Sequence, residues 1–321
     1  MIKSKKWKLK NFKMNIPVIS INKLDFQDND IPKKIGQACE EFGFFAIKDH
    51  KINTQLIQDS LNLSKEIFDL PFDHKIKYHQ NDGAGQRGYT PFGIEKAVNA
   101  KASDQKEFWH HGRANWNKKY KPVMPQNEKV MLIEHFDEKL DKIYNKLDKL
   151  GEKILSYISI YLELDPNWFD NKINQGNSIL RLIHYPPIDS AIKGIRAAPH
   201  EDINLITLLL GTQQEGLEVL DKNNNWIPIE TNSDIIVCNV GDMLQRLTNH
   251  RLKSTTHKVI NPMNSNKNLS RYSMPFFVHL NPDFLIKTLP QCINNEHPDL
   301  YPESILANDY LNMRLKEINL K

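Results

Sequence analysis

Residues 199–202 read PHED, and 55 positions beyond Asp202 the chain reads TTHKV, with His257 at its centre. On a strand, alternate side chains point the same way, so His200 and Asp202 can share one target while Glu201 points elsewhere. A third donor from a distant strand, His257, would complete a face of two imidazoles and one carboxylate. That donor set suits Fe(II) and leaves three positions open for oxygen and a substrate. A structural zinc would instead use four protein ligands, and the chain offers neither a CxxC pair nor a fourth nearby candidate. An HxD pair also arises by chance, and a histidine is more often a surface or hydrogen-bonded residue than a ligand. Context separates the readings: His200 follows a proline and precedes an apolar run, and His257 opens another strand-like segment.

A second group lies fourteen residues past His257, in RYS. Arg271 and Ser273 share a strand face, and a forked guanidinium beside a hydroxyl suits a carboxylate. Tyr185, ending SILRLIHY, would add a donor. Read singly, the three could be a surface ion pair, a strand hydroxyl and a rim aromatic. Arg181 and Ile183 alternate onto the same face as Tyr185. A buried arginine needs an anion or a dense set of acceptors. Two readings of Arg181 follow: an internal pair with an acid such as Glu95 or Glu107, or a contact with an anionic group of a substrate. Ser254, His250 and Asp242 are close in sequence but lack a nucleophile signature.

The elements that must present these side chains fall into two textures. Before residue 165, apolar residues recur at helical spacing. IPKKIGQACEEFG closes on Gly43, NTQLIQDSLNLSKEIFDLP opens on the cap candidate Asn53 and stops before Pro71, and a long helix between Val130 and Leu164 is expected to break or bend near Gly151. IPVISI and FFAIKDH read as short strands. From Asn177 onward short strands crowd together: SILRLIHY, NLITLLLG, LEVL, WIPI, DIIVCNVG, THKVI and RYSMPFFVHL, separated by turns such as DKNNN and NPMNSN. A helical tail around ANDYLNMRLKEI ends the chain. The expectation is an α+β protein in which a helical N-terminal half supports an antiparallel β-core.

Composition narrows the function classes. The net charge of +4 comes from residues 1–13, which hold six lysines and no acid. The rest is slightly acidic and has no phosphate-binding footprint, which argues against nucleic acid. The basic segment lacks the apolar core of a secretory signal and reads as a disordered leader ahead of a natural start at Met14. No apolar run reaches the ~18–20 residues that span a bilayer. Cys39, Cys238 and Cys292 are few and far apart, which fits a reducing cytoplasm rather than a disulfide framework.

With IPVISI, EEFGFFAIKDH, LPFDHKIKY, RGYTPFG, DQKEFWHHG, the YPP before the HxD, and LTNHRLKSTTHKV before RYSMPFF, the chain from Met14 resembles the isopenicillin N synthase-like branch of the Fe(II)/2-oxoglutarate-dependent oxygenases, its bacterial members above all. That resemblance implies a double-stranded β-helix (jelly roll), iron at His200, Asp202 and His257, and 2-oxoglutarate held by Arg271 and Ser273 with help from Tyr185. It implies oxidative decarboxylation of 2-oxoglutarate by O2, coupled to hydroxylation or another oxidation of a small molecule. Two departures stand out: Ile183 occupies a position where many relatives carry an asparagine that positions the cosubstrate, and the span from His257 to Arg271 is long. The expected organisation is a leader at 1–13, an N-terminal non-haem dioxygenase region at 14–130, a helical connection at 131–175, the jelly-roll core at 176–285 and a helical tail at 286–321. Rival readings are a same-fold oxidase that uses no 2-oxoglutarate, an ethylene-forming variant, and a jelly-roll binding protein without turnover. Succinate release with and without candidate substrates separates them.

Overall fold

The computed structural model describes residues 16–22, 30–80, 85–98, 100–187, 195–210, 216–229, 234–261, 269–318 and 320. The leader at 1–13 and most of the expected long turn, residues 262–268, lie outside them. Along the chain the elements are β1 (Val18–Ser20), α1 (Asp30–Glu41), β2 (Phe44–Lys48), α2 (Thr54–Asp69), α3 (Phe72–Lys75), β3 (Gly88–Thr90), β4 (Glu107–Gly112), α4 (Phe136–Tyr161) and α5 (Asp170–Ile173). The second half adds β5 (Ile179–Tyr185), β6 (Ala197–His200), β7 (Ile206–Leu210), β8 (Leu217–Leu220), β9 (Trp226–Pro228), β10 (Ile235–Val240), α6 (Asp242–Leu247), β11 (His257–Val259) and β12 (Arg271–Val278). The short pair β13 (Leu285–Ile286) and β14 (Ile305–Leu306) precedes α7 (Ala307–Glu317).

Two sheets make the core. The larger has the order β1-β2-β10-β7-β12-β5-β4-β3 and the smaller β6-β11-β8-β9. Within these two sheets every described pairing is antiparallel except β1 with β2. The α+β jelly roll expected from the sequence is what forms. Local signals act as the sequence predicts: the Asn53 side chain accepts from the Gln55 amide at 2.7 Å, capping α2, and Gly43 ends α1 at φ 68° with its amide on Ala38 O.

Two features differ from the sequence expectation. Besides β1 and β2, the two strands expected there, the N-terminal half contributes β3 and β4, so that β1 to β4 supply half of the large sheet. In β4 every residue is buried, so EFWHHG shows none of the alternation that marks a half-exposed strand. The long helix does not break at Gly151: α4 runs unbroken from Phe136 to Tyr161. A Cβ at Gly151 would meet Val278 Cγ2 at 2.8 Å, so the glycine lets α4 lie close against β12. That packing fixes β12, the strand carrying Arg271 and Ser273.

Candidate active site

His200 is the last residue of β6 and His257 the first of β11, and the two are direct cross-strand partners. Asp202 lies past the end of β6, in the turn leading to β7, rather than on a strand as the alternation reading assumed. The three side chains nevertheless converge. One ligand atom from each lies within 4.8 Å of the others, and among the described residues this is the one such group of three. Asp202 Oδ1 is 3.9 Å from His200 Nε2 and 3.8 Å from His257 Nε2. Both spacings are shorter than two metal–nitrogen bonds of about 2.1 Å placed end to end, so one ion can reach each pair.

Surrounding bonds aim these atoms. His200 Nδ1 is 2.8 Å from Ala198 O and His257 Nδ1 is 3.2 Å from Thr255 O. A proton on each Nδ1 leaves both Nε2 lone pairs facing inward. Thr207 Oγ1 and Asn239 Nδ2 donate to Asp202 Oδ2 at 2.5 and 2.8 Å, turning Oδ1 toward the histidines. Burial and the neighbouring His200 push His257 down to about 4, so it stays neutral and able to ligate. Burial pushes the Asp202 carboxyl up, but His257, His200 and the two donors outweigh it and hold it below the usual range. No sequence signal marks Thr207 or Asn239, because each sits in a run of apolar strand residues.

The next part of the site lies on β12 and β5. Arg271 pairs in register with Tyr185 and Ser273 with Ile183, and all four side chains are buried. The Arg271 guanidinium lies 5.1 Å from the Tyr185 ring centre, while its Nε and Nη1 have no hydrogen-bond partner. A buried donor left unpaired costs about 1–3 kcal/mol, more when charged. A carboxylate is the partner these atoms fit. A second buried guanidinium, Arg196, stands close enough that Arg271 lowers its pKa after burial does; its Nη2 donates to Leu269 O at 2.7 Å and its Nε is unpaired.

His200, Asp202, His257, Arg271, Ser273 and Tyr185 all line one cavity of about 340 Å³ between the sheets. Arg181 lines it too, and the structure gives it partners. Arg181 Nη1 is 3.1 Å from Glu95 Oε2, its Nε is 2.5 Å from His110 Nε2, and the two ion-pair side chains are 13% and 11% exposed. Of the two acids expected for it, Glu107 is engaged elsewhere, by Lys75, Tyr89 and His184. Lys106 joins the Arg181 cluster, 3.3 Å from Glu95 and 2.8 Å from Asp104. Burial raises the Glu95 carboxyl, but Arg181 and Lys106 overcome this and hold it at about 2. From the far wall, α7 brings Leu311, Arg314 and Leu315 to the cavity, and Arg314 pairs with Asp242 at 2.7 Å. No described helix is long and apolar enough to cross a membrane.

A face of two histidines and an aspartate beside an unpaired arginine in a jelly roll defines a class of non-haem oxygenase, and comparison with known proteins agrees. Residues 16–130 match the family described as non-haem dioxygenase in morphine synthesis N-terminal, and residues 176–280 match the 2OG-Fe(II) oxygenase superfamily. A 2-oxoglutarate-Fe(II) type oxidoreductase of Emericella nidulans is 30% identical over 84% of this chain and 80% of its own. A 2OG-Fe(II) oxygenase family protein of Caulobacter crescentus superposes with TM-score 0.86 at 42% identity, covering 94% of this chain and 99% of that one. A full-length Neurospora crassa protein solved in complex with alpha-KG and thymine gives TM-score 0.83 at 26% identity, over 94% of this chain and 96% of that one. The chain belongs to the Fe(II)/2-oxoglutarate-dependent oxygenase family, in its isopenicillin N synthase-like branch. It is an oxidoreductase that uses Fe(II), 2-oxoglutarate and O2 to oxidise a small molecule.

Proposed function

We propose that His200, Asp202 and His257 hold the iron, that Arg271, Ser273 and Tyr185 hold the distal carboxylate of 2-oxoglutarate, and that the substrate lies toward Arg181 and Phe277. The observation that carries this reading is the buried guanidinium of Arg271, unpaired on two nitrogens and on the same cavity as the three ligands. When bound, Fe(II) with 2-oxoglutarate supplies the oxidation, releasing succinate and CO2 as one substrate bond is oxidised by O2.

The chain's own residues bind, orient and shield. Ala198 O and Thr255 O fix the tautomers of the two histidines, and Thr207 with Asn239 holds the aspartate oxygen that does not face the metal. Ile183, between Tyr185 and Arg181 on β5, offers the cosubstrate an apolar surface and no hydrogen bond. Arg314 and its apolar neighbours on α7 cover the cavity from outside the sheets. A volume of about 340 Å³ is near the lower end for small-molecule sites, and the cosubstrate takes part of it, so the substrate is compact. The substrate carries an anionic group: Arg181, Lys106 and the fully buried Arg87 stand near this end against Glu95 and Asp104. Three free, buried thiols support a cytoplasmic setting.

The test is succinate formation by the purified protein with Fe(II), 2-oxoglutarate and O2, with and without candidate small acids. Iron-dependent succinate, faster with one of the acids, is expected. Oxidation of a substrate with no 2-oxoglutarate present would overturn the cosubstrate assignment in favour of an oxidase that places its substrate's carboxylate on Arg271.

A further inference from the structure

The inner face of β12 reads Arg271, Ser273, Pro275, Phe277 and then, one residue past the strand, His279, all lining the cavity. Arg271 and Ser273 mark its cosubstrate end, which leaves His279 at the opposite end. His279 is only 6% exposed. Its backbone is held, with N donating to Ser178 Oγ at 3.1 Å and the carbonyl against Gly176, where a Cβ would lie 2.0 Å from His279 O. Its ring is not held. Nδ1 is buried without a hydrogen-bond partner, and Nε2 has none among the described residues.

The neighbouring polar groups are already engaged. His110 accepts from Arg181 on Nε2 and bonds Gly85 O through Nδ1, and Arg181 is paired with Glu95. Arg87, fully buried, is tied to the same segment: its Nη1 donates to Gln86 O at 2.6 Å and its Nη2 to Asn177 Oδ1 at 2.8 Å, next to the Ser178 that accepts from the His279 amide. Its Nε is unpaired, and neither of its bonds is to an acid. Burial first and the Arg87 charge second push His279 down to about 4, while Asp202 pulls the other way. His279 therefore stands within electrostatic reach of both the buried Arg87 cation and the Asp202 carboxylate. A buried cation with no acid bonded to it favours an anion nearby.

We infer that His279 is a specificity-determining residue, and that it takes the carboxylate of a small apolar monocarboxylic acid whose remaining carbon skeleton lies against Phe277 and Ile179. Arg87, bonded to the adjoining Asn177, supplies the charge that makes a carboxylate preferable to a neutral carbonyl. The inference rests on the function proposed above and names the substrate class of that same site.

The experiment uses the full chain loaded with Fe(II) and 2-oxoglutarate, and the probes are short aliphatic and aromatic monocarboxylic acids, each paired with its primary amide. Anaerobic formation of the Fe(II)–2-oxoglutarate charge-transfer band reports the loaded site, and its absence in the parent would overturn the proposed function rather than this inference. Given that band, acids are expected to accelerate 2-oxoglutarate consumption and amides are not. His279→Phe is expected to raise the KM of the best acid at least ~10-fold with a smaller change in kcat, and His279→Gln, which keeps a donor, to recover part of the loss. Because the ring has no hydrogen-bond partner among the described residues, His279→Phe should leave the melting temperature of the unloaded protein unchanged or higher. Amides that serve as well as acids, stimulation by neither series, an unchanged KM in His279→Phe, or a drop of several degrees in its melting temperature would each overturn the inference.

Discussion

Two arginines on neighbouring strands of one cavity, Arg271 buried and Arg181 mostly so, are treated in opposite ways. Arg181 on β5 is tied to Glu95 and His110, and its acid partner is pulled far below the ordinary carboxylate range. Arg271 on β12 faces the ring of Tyr185 and leaves Nε and Nη1 unpaired. A buried charge with an internal counter-ion serves the wall of a site. One without a counter-ion is held ready for a ligand that brings it, because leaving it alone is costly. By that criterion Arg181 belongs to the wall and Arg271 fits the cosubstrate role proposed for it, a distinction that exposure alone does not make.

The strongest way to break this picture is at the proposed iron site, which shares the cavity with both arginines. His257→Ala should abolish iron-dependent succinate formation while the melting temperature stays within a few degrees, because β11 remains paired to β6 and β8. A variant that still forms succinate at the parental rate would remove His257 from the site. Arg271→Lys keeps the charge and loses the fork, so the KM for 2-oxoglutarate should rise at least ~10-fold. An unchanged value would mean that the unpaired nitrogens serve something else.

The contrast in stability is the next test. Arg181→Gln strands Glu95 beside one cation instead of two, at a cost of roughly 3 kcal/mol, the low end for a broken buried pair because the pair borders a cavity. Thermal denaturation should show a fall of about 5–10 °C. Arg271→Gln removes an uncompensated charge and should leave the unloaded protein as stable as the parent or more so. Equal losses in the two variants would erase the distinction.

The smallest effect is in acid. Glu95 titrates near 2 in the fold against an ordinary 4.5, so its contribution is complete above about pH 4.5 and is lost as the pH falls toward 2. Melting temperatures measured from pH 5 down to pH 3 should fall more steeply for the parent than for Glu95→Gln, which is less stable at neutral pH. Parallel slopes would show that Glu95 is not held low in the fold.

Much of the core was legible because its signals are local. The strands carrying the site alternate or end in turn residues, and Gly43 and Asn53 act on their own backbones. β3 and β4 escaped because a strand buried on both faces shows no period of two. Gly151 misled because a glycine required for close approach to Val278 looks, in sequence, like one that ends a helix.

The sequence by itself determined the donor set: His200 and Asp202 lie two apart and His257 opens a strand, so the types and spacing point to iron chemistry wherever the sheets bring them together. It also determined that Arg271 and Ser273 share one face, as do Arg181 and Tyr185, since alternation follows from the geometry of a single strand. Only the tertiary structure decided which acid neutralises Arg181, because Glu95 is 86 residues away and Glu107, equally available by sequence, faces Lys75 and His184. The same holds for His279, whose ring is ordinary in FVHLNP and becomes a candidate contact only when packing leaves its Nδ1 unpaired on the cavity that His200, Asp202 and His257 also line. Long-range pairing depends on how distant segments close on one another, and no local spacing encodes that.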